Sequence, residues 1–329
     1  MRVLCTGAGG FLCSHFLEHV LAETDWDVIA TDSFRNKGLT DRIAWVLGRD
    51  PSWRSRVDVI THDLRAPFSE RALTCMGTVD HVFAFASESD VPRSIADPVT
   101  FIRSNVEIAL TTLELCRRTS PQTLVWVSTD EVYGDGGMHA EWDTYLPSNP
   151  YSASKAAQES IAVSYWRTYG LPVAIVNCVN GIGERQDAEK FLPLLMRQIA
   201  AGDTVQVHGT PQRMGARRYV HARDLASAIL HITAKLPPAR FGEGADRPGK
   251  YHVAGCDPVT NLELVQMVAG IMGRPLRYEL AGFPRPGHDI TYGMSGAKLA
   301  DAGWEPQIPL SEALQGIVAW TLANPEWLA

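Results

Sequence analysis

The chain predicts an α/β protein in which a doubly wound parallel sheet carries a smaller, discontinuous C-terminal substrate domain. Three observations lead there. Short apolar, β-rich runs alternate with helical stretches through the first half. A glycine-rich turn joins the first strand to the first helix. Polar clusters stand directly after the strands, where open parallel sheets bind their ligands.

Residues 2–5 read as the first strand, and a helix follows to residue 21. Between them stand Thr6-Gly7-Ala8-Gly9-Gly10-Phe11-Leu12-Cys13. Glycines at such a turn let the backbone approach a pyrophosphate, and the helix N-terminus adds N–H groups and positive potential. Gly7, Gly10, Phe11 and Leu12 are therefore candidate cofactor contacts. Cys13 takes the place of the third glycine of the usual fingerprint, which allows close helix–strand packing; a slightly displaced helix and an intact site are expected. The second strand, 28–30, ends at Asp32, where a carboxylate accepts hydrogen bonds from an adenosine ribose. This favours NAD, while Arg35 nearby leaves NADP open. The third strand, 57–60, ends at His62-Asp63-Leu64. Asp63 is a candidate for the adenine edge or a turn residue, and Leu64 and Ala86 join the cofactor set.

The fourth strand, 79–85, runs into Ala86-Ser87-Glu88-Ser89-Asp90-Val91-Pro92-Arg93-Ser94, and Asp97-Pro98 opens a long helix to residue 118. Residues 124–127 form the next strand, with Ser128-Thr129-Asp130-Glu131 at its carboxyl end. Two adjacent carboxylates just off a buried strand are costly unless solvated, paired or used; a capped loop or helix start is the plain alternative. Asn149-Pro150 is a turn signal before a helix that ends at Gly170. Tyr151 and Lys155, four apart, share a face of it. An ammonium near a phenol lowers the phenol's pKa and makes it a usable base near neutral pH. Strand 173–178 leads into Asn180-Gly181-Ile182-Gly183. After that the alternation loosens. Residues 202–218 are rich in Gly, Pro, Gln and Arg, 236–250 read as a Pro/Gly-rich surface loop, 251–254 as one more strand, and 262–272 and 310–323 as helices. The expected division is a cofactor domain of residues 1–178 plus 219–256 and a substrate domain of residues 179–218 plus 257–329.

Apolar content of 45% and charged content of 20% suit a globular enzyme. The net charge of 30 − 37 = −7 provides no basic field for nucleic acid or anionic lipid. No apolar run approaches the ~20 residues of a membrane span, and Met1-Arg2 leads straight into a strand, so a cytoplasmic protein is expected. Cys5, Cys13, Cys75, Cys116, Cys178 and Cys256 form no C-x-x-C pair and read as buried thiols; no metal site is expected.

Together these stretches resemble the extended short-chain dehydrogenase/reductase superfamily, and within it the nucleotide-sugar 4,6-dehydratases, above all those acting on dTDP-glucose. Ser87-Glu88-Ser89 with Arg93-Ser94, Ser128-Thr129-Asp130-Glu131-Val132-Tyr133-Gly134 and Asn149-Pro150-Tyr151-Ser152-Ala153-Ser154-Lys155 carry the likeness. Asn177-Cys178-Val179-Asn180, Glu189-Lys190-Phe191-Leu192-Pro193, Arg285-Pro286-Gly287-His288-Asp289 and Gly303-Trp304-Glu305-Pro306 extend it. The Asp130-Glu131 pair is among the most telling parts, because epimerases and decarboxylases of the superfamily usually lack it.

The resemblance implies a Rossmann-type cofactor domain, a tightly held NAD, a nucleotide-diphosphate sugar as substrate, and a homodimer built on the helices 98–118 and 151–169. It implies that Tyr151, supported by Lys155, takes the sugar O4 proton while hydride leaves C4. Glu131 then takes the C5 proton, Asp130 protonates the departing C6 hydroxyl, and Thr129 binds O4 or the keto oxygen. Ser89, Arg93, Asn180, Glu189, Lys190 and His288 would bind the substrate, and Arg217, Arg218 and Arg285 are the candidates for its diphosphate. A nucleotide-sugar 4-epimerase or UDP-glucuronate decarboxylase is the nearest alternative, and a catalytically silent NAD-binding protein is the alternative of another class. The chain departs from the family pattern at Asp90 (usually histidine), Pro92 (usually aspartate) and Gly181-Ile182 (usually Asn-Tyr). The stretch 212–220 lacks the usual Arg-Asp-Trp core.

Overall fold

The structure, a computed structural model, describes every residue except Asn36, Lys37, Cys256, Pro284, Arg285, His288 and Ala329. Seven strands form its central sheet: β1 (Arg2–Thr6), β2 (Asp27–Asp32), β3 (Val57–Thr61), β4 (His81–Ala84), β5 (Thr123–Thr129), β6 (Val173–Cys178) and β7 (Gly249–Val253). Every pairing is parallel, and the order is β7-β6-β5-β4-β1-β2-β3. The order reverses between β1 and β4, which opens a crevice beyond the carboxyl ends of the strands.

Helices cover both faces of the sheet, so β4, β5 and β6 are buried along their whole length and are apolar through their middles. On one face lie α1 (Phe11–Glu23) and α5 (Ala222–Lys235), packed with Phe16, Phe83, Val125 and Ile229. On the other lie α3 (Pro98–Thr119) and α4 (Pro150–Tyr169), packed around Leu113, Trp126 and Trp166. The helix α2 (Thr40–Arg49) follows β2. A third apolar cluster, with Leu195, Met196, Leu264 and Leu314, forms under the helices Phe191–Ala201, Asn261–Met272 and Leu310–Ala323. The stretch 202–218, read as loosely patterned, contains short strands. Thr204–Val207 pairs with Arg277–Leu280, and Ala216–Arg217 with Val259–Thr260.

The first turn of α4 is specified locally. The Asn149 side chain accepts from Ser152 N at 3.0 Å, Ser152 Oγ answers the Asn149 backbone in a reciprocal capping box, and Pro150 is pre-set for the first turn. This fixes Tyr151 at the helix entry, facing the end of β5.

One sequence expectation fails at Lys250. Its Pro/Gly-rich surroundings suggest a surface loop, yet it is fully buried in β7, with its ammonium 2.9 Å from the buried Glu159 carboxylate of α4. Glu159 also accepts from Ser128 Oγ at 2.5 Å, Asn177 Nδ2 at 2.7 Å and Tyr145 OH at 2.5 Å. Long-range contact, which local composition does not encode, decides the burial. A buried pair is costly to break because the remaining charge has no solvent. Lys250→Met should therefore destabilise the fold by about 3 kcal/mol, read as a lower urea midpoint. Lys250→Met/Glu159→Gln should recover part of the loss, and a Lys250→Met midpoint equal to that of the wild type would remove the pair from the account.

Candidate active site

The crevice is a cleft of about 1250 Å³. Its floor begins at Gly7, whose φ of +70° is open to glycine at little cost. A Cβ at Gly7 would come 2.9 Å from the Ala86 backbone, so β1 and the loop after β4 meet only because no side chain intervenes. Gly10 N-caps α1, and Phe11 and Leu12 line the cleft beside it. Cys13 packs into the core beside Cys5, with burial the main cause of its raised thiol pKa, and α1 still starts at Phe11. The larger side chain is thus taken up between α1 and β1.

Asp32 ends β2 and lines the same cleft. Its carboxylate accepts from Gly9 N at 3.0 Å and Phe34 N at 3.0 Å. The site therefore has the parts that NAD needs: a glycine turn at a helix N-terminus and a fixed acidic group at the second strand end. Leu64 and Ala86 line the cleft as well. Asp63 also lines it, but its carboxylate is held by Arg65 at 2.6 Å and Arg35 at 2.8 Å, which keeps it well below the usual carboxylate range.

Behind the glycine turn lies Arg42, which sequence reasoning missed. It is fully buried on α2. Its guanidinium donates to Gly9 O at 3.0 Å, Arg185 O at 2.9 Å and Asp187 Oδ1 at 2.9 Å. One side chain thus ties the glycine turn to the loop that carries Asp187, Glu189 and Lys190. Those three residues line the cleft, and Lys190 Nζ reaches across to Ser89 O at 3.2 Å.

At the end of β5, Thr129, Asp130 and Glu131 meet Tyr151 and Lys155. Thr129 Oγ1 donates to Asp130 Oδ1 at 3.0 Å. Asp130 is buried, and its Oδ2 has no hydrogen-bond partner among the described residues. Burial, followed by the neighbouring Glu131, pushes the Asp130 carboxyl up to about 7. Asp130 therefore holds a proton near neutrality. Glu131 is less buried, and its Oε2 lies 3.4 Å from both Asn149 Nδ2 and Tyr292 OH.

The expected lowering of Tyr151 by Lys155 needs correction. Burial, then the Glu131 charge, pushes the Tyr151 phenol well up. Lys155 Nζ instead donates to Val127 O at 2.9 Å and Gln158 Oε1 at 3.0 Å, and burial brings its pKa down to about 8. Lysine here braces the strand end against the helix.

Ser89, Arg93, Asn180, Glu189, Lys190 and Arg217 line the cleft as well. Arg93 pairs with Glu88 at 3.2 Å. Asp90, in place of the usual histidine, accepts from Arg93 N at 2.9 Å and caps the short helix Val91–Ala96, with Pro92 in its first turn. The two adjacent arginines separate, as side chains in an extended segment do. Arg217 lines the cleft, but its guanidinium donates to Ala216 O at 2.8 Å, Ile290 O at 2.7 Å and Asp289 O at 2.7 Å. Arg218 does not line the cleft and lies 3.7 Å from Asp257. Arg285 and His288 fall outside the described residues.

The model of the NAD dependent epimerase/dehydratase family matches residues 3–241. The chain belongs to this family. A dTDP-glucose 4,6-dehydratase of Xanthomonas campestris pv. campestris is 35% identical over 271 residues, covering 76% of this chain and 74% of that one. The dTDP-glucose 4,6-dehydratase DesIV of Streptomyces venezuelae, solved with NAD bound, is 32% identical, with a TM-score of 0.87 over 99% of this chain and 98% of that one. A Thermus thermophilus UDP-glucose 4-epimerase solved with NAD is 29% identical, with a TM-score of 0.84 over 97% and 98%. This member of the family is an NAD-dependent Rossmann-type α/β protein, and no helix among its described residues is long and apolar enough to cross a membrane.

Proposed function

We propose that the protein is an NAD-dependent nucleotide-sugar 4,6-dehydratase that converts dTDP-glucose, or a close relative, to the 4-keto-6-deoxy sugar. The observation that carries this reading is Asp130: a buried carboxyl raised to about 7, with one oxygen unpartnered among the described residues, beside Glu131 in the cleft that Thr129 and Tyr151 also line. An epimerase has no use for an acid there. Adjacent carboxyl groups in unequal environments can act as acid and base on neighbouring carbons of one sugar.

In this reading Thr129 holds O4 and Tyr151 removes its proton. Bound NAD⁺ would take up hydride from C4, return it to C6, and bring a positive charge into the cleft that opposes the raised Tyr151 pKa. The C4 ketone acidifies C5, Glu131 takes the C5 proton, and Asp130 gives its proton to the departing C6 hydroxyl, which leaves as water. Gly7, Gly10, Phe11, Leu12, Asp32, Asp63, Leu64 and Ala86 would hold the cofactor. Ser89, Arg93, Asn180, Glu189 and Lys190 would hold the sugar nucleotide. Residues 1–178 plus 219–256 would form the cofactor unit, and 179–218 plus 257–329 the substrate unit. A cytoplasmic homodimer through α3 and α4 completes the reading, with Val99 and Leu110 exposed on α3.

The test is a mass-spectrometric assay of the purified protein on dTDP-, UDP-, GDP- and CDP-sugars without added reductant. Loss of one water from dTDP-glucose is expected. Unchanged mass for every sugar, with NAD bound, would sink the reading.

A further inference from the structure

The contacts that hold Arg217 do not account for its charge. The half-buried guanidinium lines the cleft and donates to the main-chain oxygens of Ala216 at 2.8 Å, Ile290 at 2.7 Å and Asp289 at 2.7 Å. It lies 4.6 Å from the centre of the Tyr292 ring. These partners are carbonyls and a ring, and among the described residues Arg217 has no carboxylate partner. The Asp289 carboxylate, on a residue whose carbonyl it already uses, is engaged elsewhere: one oxygen accepts from Ser148 Oγ and the other from Tyr292 OH at 2.5 Å. Arg218, next in the chain, does face a carboxylate, that of Asp257 at 3.7 Å. Taking a cation partly out of water against dipoles alone costs free energy, so the field of Arg217 is the feature that needs a use.

That field falls on the strand-end pair. The Tyr292 ring lies between, with its hydroxyl 3.4 Å from Glu131 Oε2. Burial and Glu131 push the Asp130 carboxyl up, and the Thr129 hydrogen bond and the Arg217 charge oppose them. The other titratable groups that face Asp130 are Glu131 on its own turn, Tyr151 of α4 and Cys178 of β6. Each of these is neutral or negative. Lys155 of α4 faces Cys178 and is engaged by Val127 and Gln158.

In the proposed elimination Glu131 begins as a carboxylate and ends holding the C5 proton. Asp130 begins protonated and ends as a carboxylate, its proton having left with the C6 hydroxyl as water. The pair carries one negative charge before and after, but that charge moves from the more open residue to the buried one. We propose that Arg217 is the counter-charge for this transfer, a positioning residue that stabilises the negative charge as it arrives on Asp130 and does not hold the diphosphate. The inference rests on the dehydratase reading and deepens it.

The experiment mixes the wild type, Arg217→Gln and Arg217→Lys, each with bound cofactor, with dTDP-glucose over a series of pH values. The absorbance of reduced nicotinamide rises with C4 oxidation and decays as water is lost and hydride returns. Without the cation Asp130 releases its proton less readily. In Arg217→Gln the decay should therefore slow about tenfold, and its decline with pH should move up by about one pH unit, the scale for losing a nearby opposite charge. Arg217→Lys keeps the charge and should keep the decline at its wild-type pH. The dTDP-glucose concentration that gives a half-maximal rise should not change in either variant. An unmoved decline in Arg217→Gln overturns the proposal, and a raised half-saturating concentration with it assigns Arg217 to the diphosphate. A decline moved equally in Arg217→Lys also overturns it, because the charge is then not what acts. Should Arg217→Gln fail to fold, Arg217→Met, which keeps an unbranched stem against the Tyr292 ring, decides by the same decline. A wild type that loses water beside an unmoved variant removes this inference alone. A wild type that loses no water from any sugar of the panel overturns the dehydratase reading, and this inference with it.

Discussion

Tyr151→Phe should lower turnover about a thousandfold, the scale of a lost general base, and should give no reduced-nicotinamide signal on mixing with dTDP-glucose. The substitution deletes one oxygen. That oxygen lines the cleft with Thr129, while the ring packs edge-on to Phe101 with centroids 6.3 Å apart, a contact phenylalanine keeps. The N-cap of the helix is made by Asn149 and Ser152 and does not involve the phenol. The fold should therefore survive, and a melting curve checks this. Loss of activity without loss of stability places Tyr151 in the chemistry. Turnover within tenfold of the wild type would remove it as the base.

Asp130→Asn separates the second half of the reaction from the first. In the proposed mechanism oxidation at C4 does not use Asp130, so the reduced-nicotinamide signal should still rise. Water loss should fall about a hundredfold or more, because an amide cannot protonate the departing hydroxyl. The signal should then persist. In the wild type, Asp130 must carry its proton to act. Its carboxyl is raised to about 7 by burial and by Glu131, so water loss should hold below that pH and decline as pH rises through it. In Asp130→Asn this decline should vanish. A 4-epimerase would keep most of its activity in the variant, which makes this substitution the test between the two family chemistries. Full dehydratase activity in Asp130→Asn would remove the acid from the mechanism.

Much of the sheet was legible because its strands are covered on both faces. Residues 124–127 and 173–176 are uninterrupted apolar runs, and such runs leave little choice of environment. The glycine turn, Asp32 and the cluster after β5 were legible for a related reason: each sits where a strand ends. Tyr292 was not legible. A single tyrosine between Thr291 and Gly293 has no pattern of its own, and its meaning comes from Glu131 and Asp289. Arg217 was one of three diphosphate candidates that the resemblance implied, and the orientation of its guanidinium, which the sequence does not encode, is set by carbonyls from residues 289 and 290. Arg42 was missed because burial of a whole guanidinium depends on acceptors from two distant segments. The Tyr151–Lys155 spacing was read correctly as a shared face, but which groups the ammonium meets was decided by Val127 and Gln158.

The Arg42 clasp bears on how the protein can breathe. The glycine turn and the loop that carries Asp187 share one buried cation, so swinging either outward strips hydrogen bonds from a group with no water to replace them. Independent flapping of the two walls is thereby suppressed. In the proposed reaction hydride leaves C4 and returns to C6, two carbons along, and such a reaction has no use for exchange of its carrier between those events. The clasp holds both walls of the cleft through one group set back from the cleft itself.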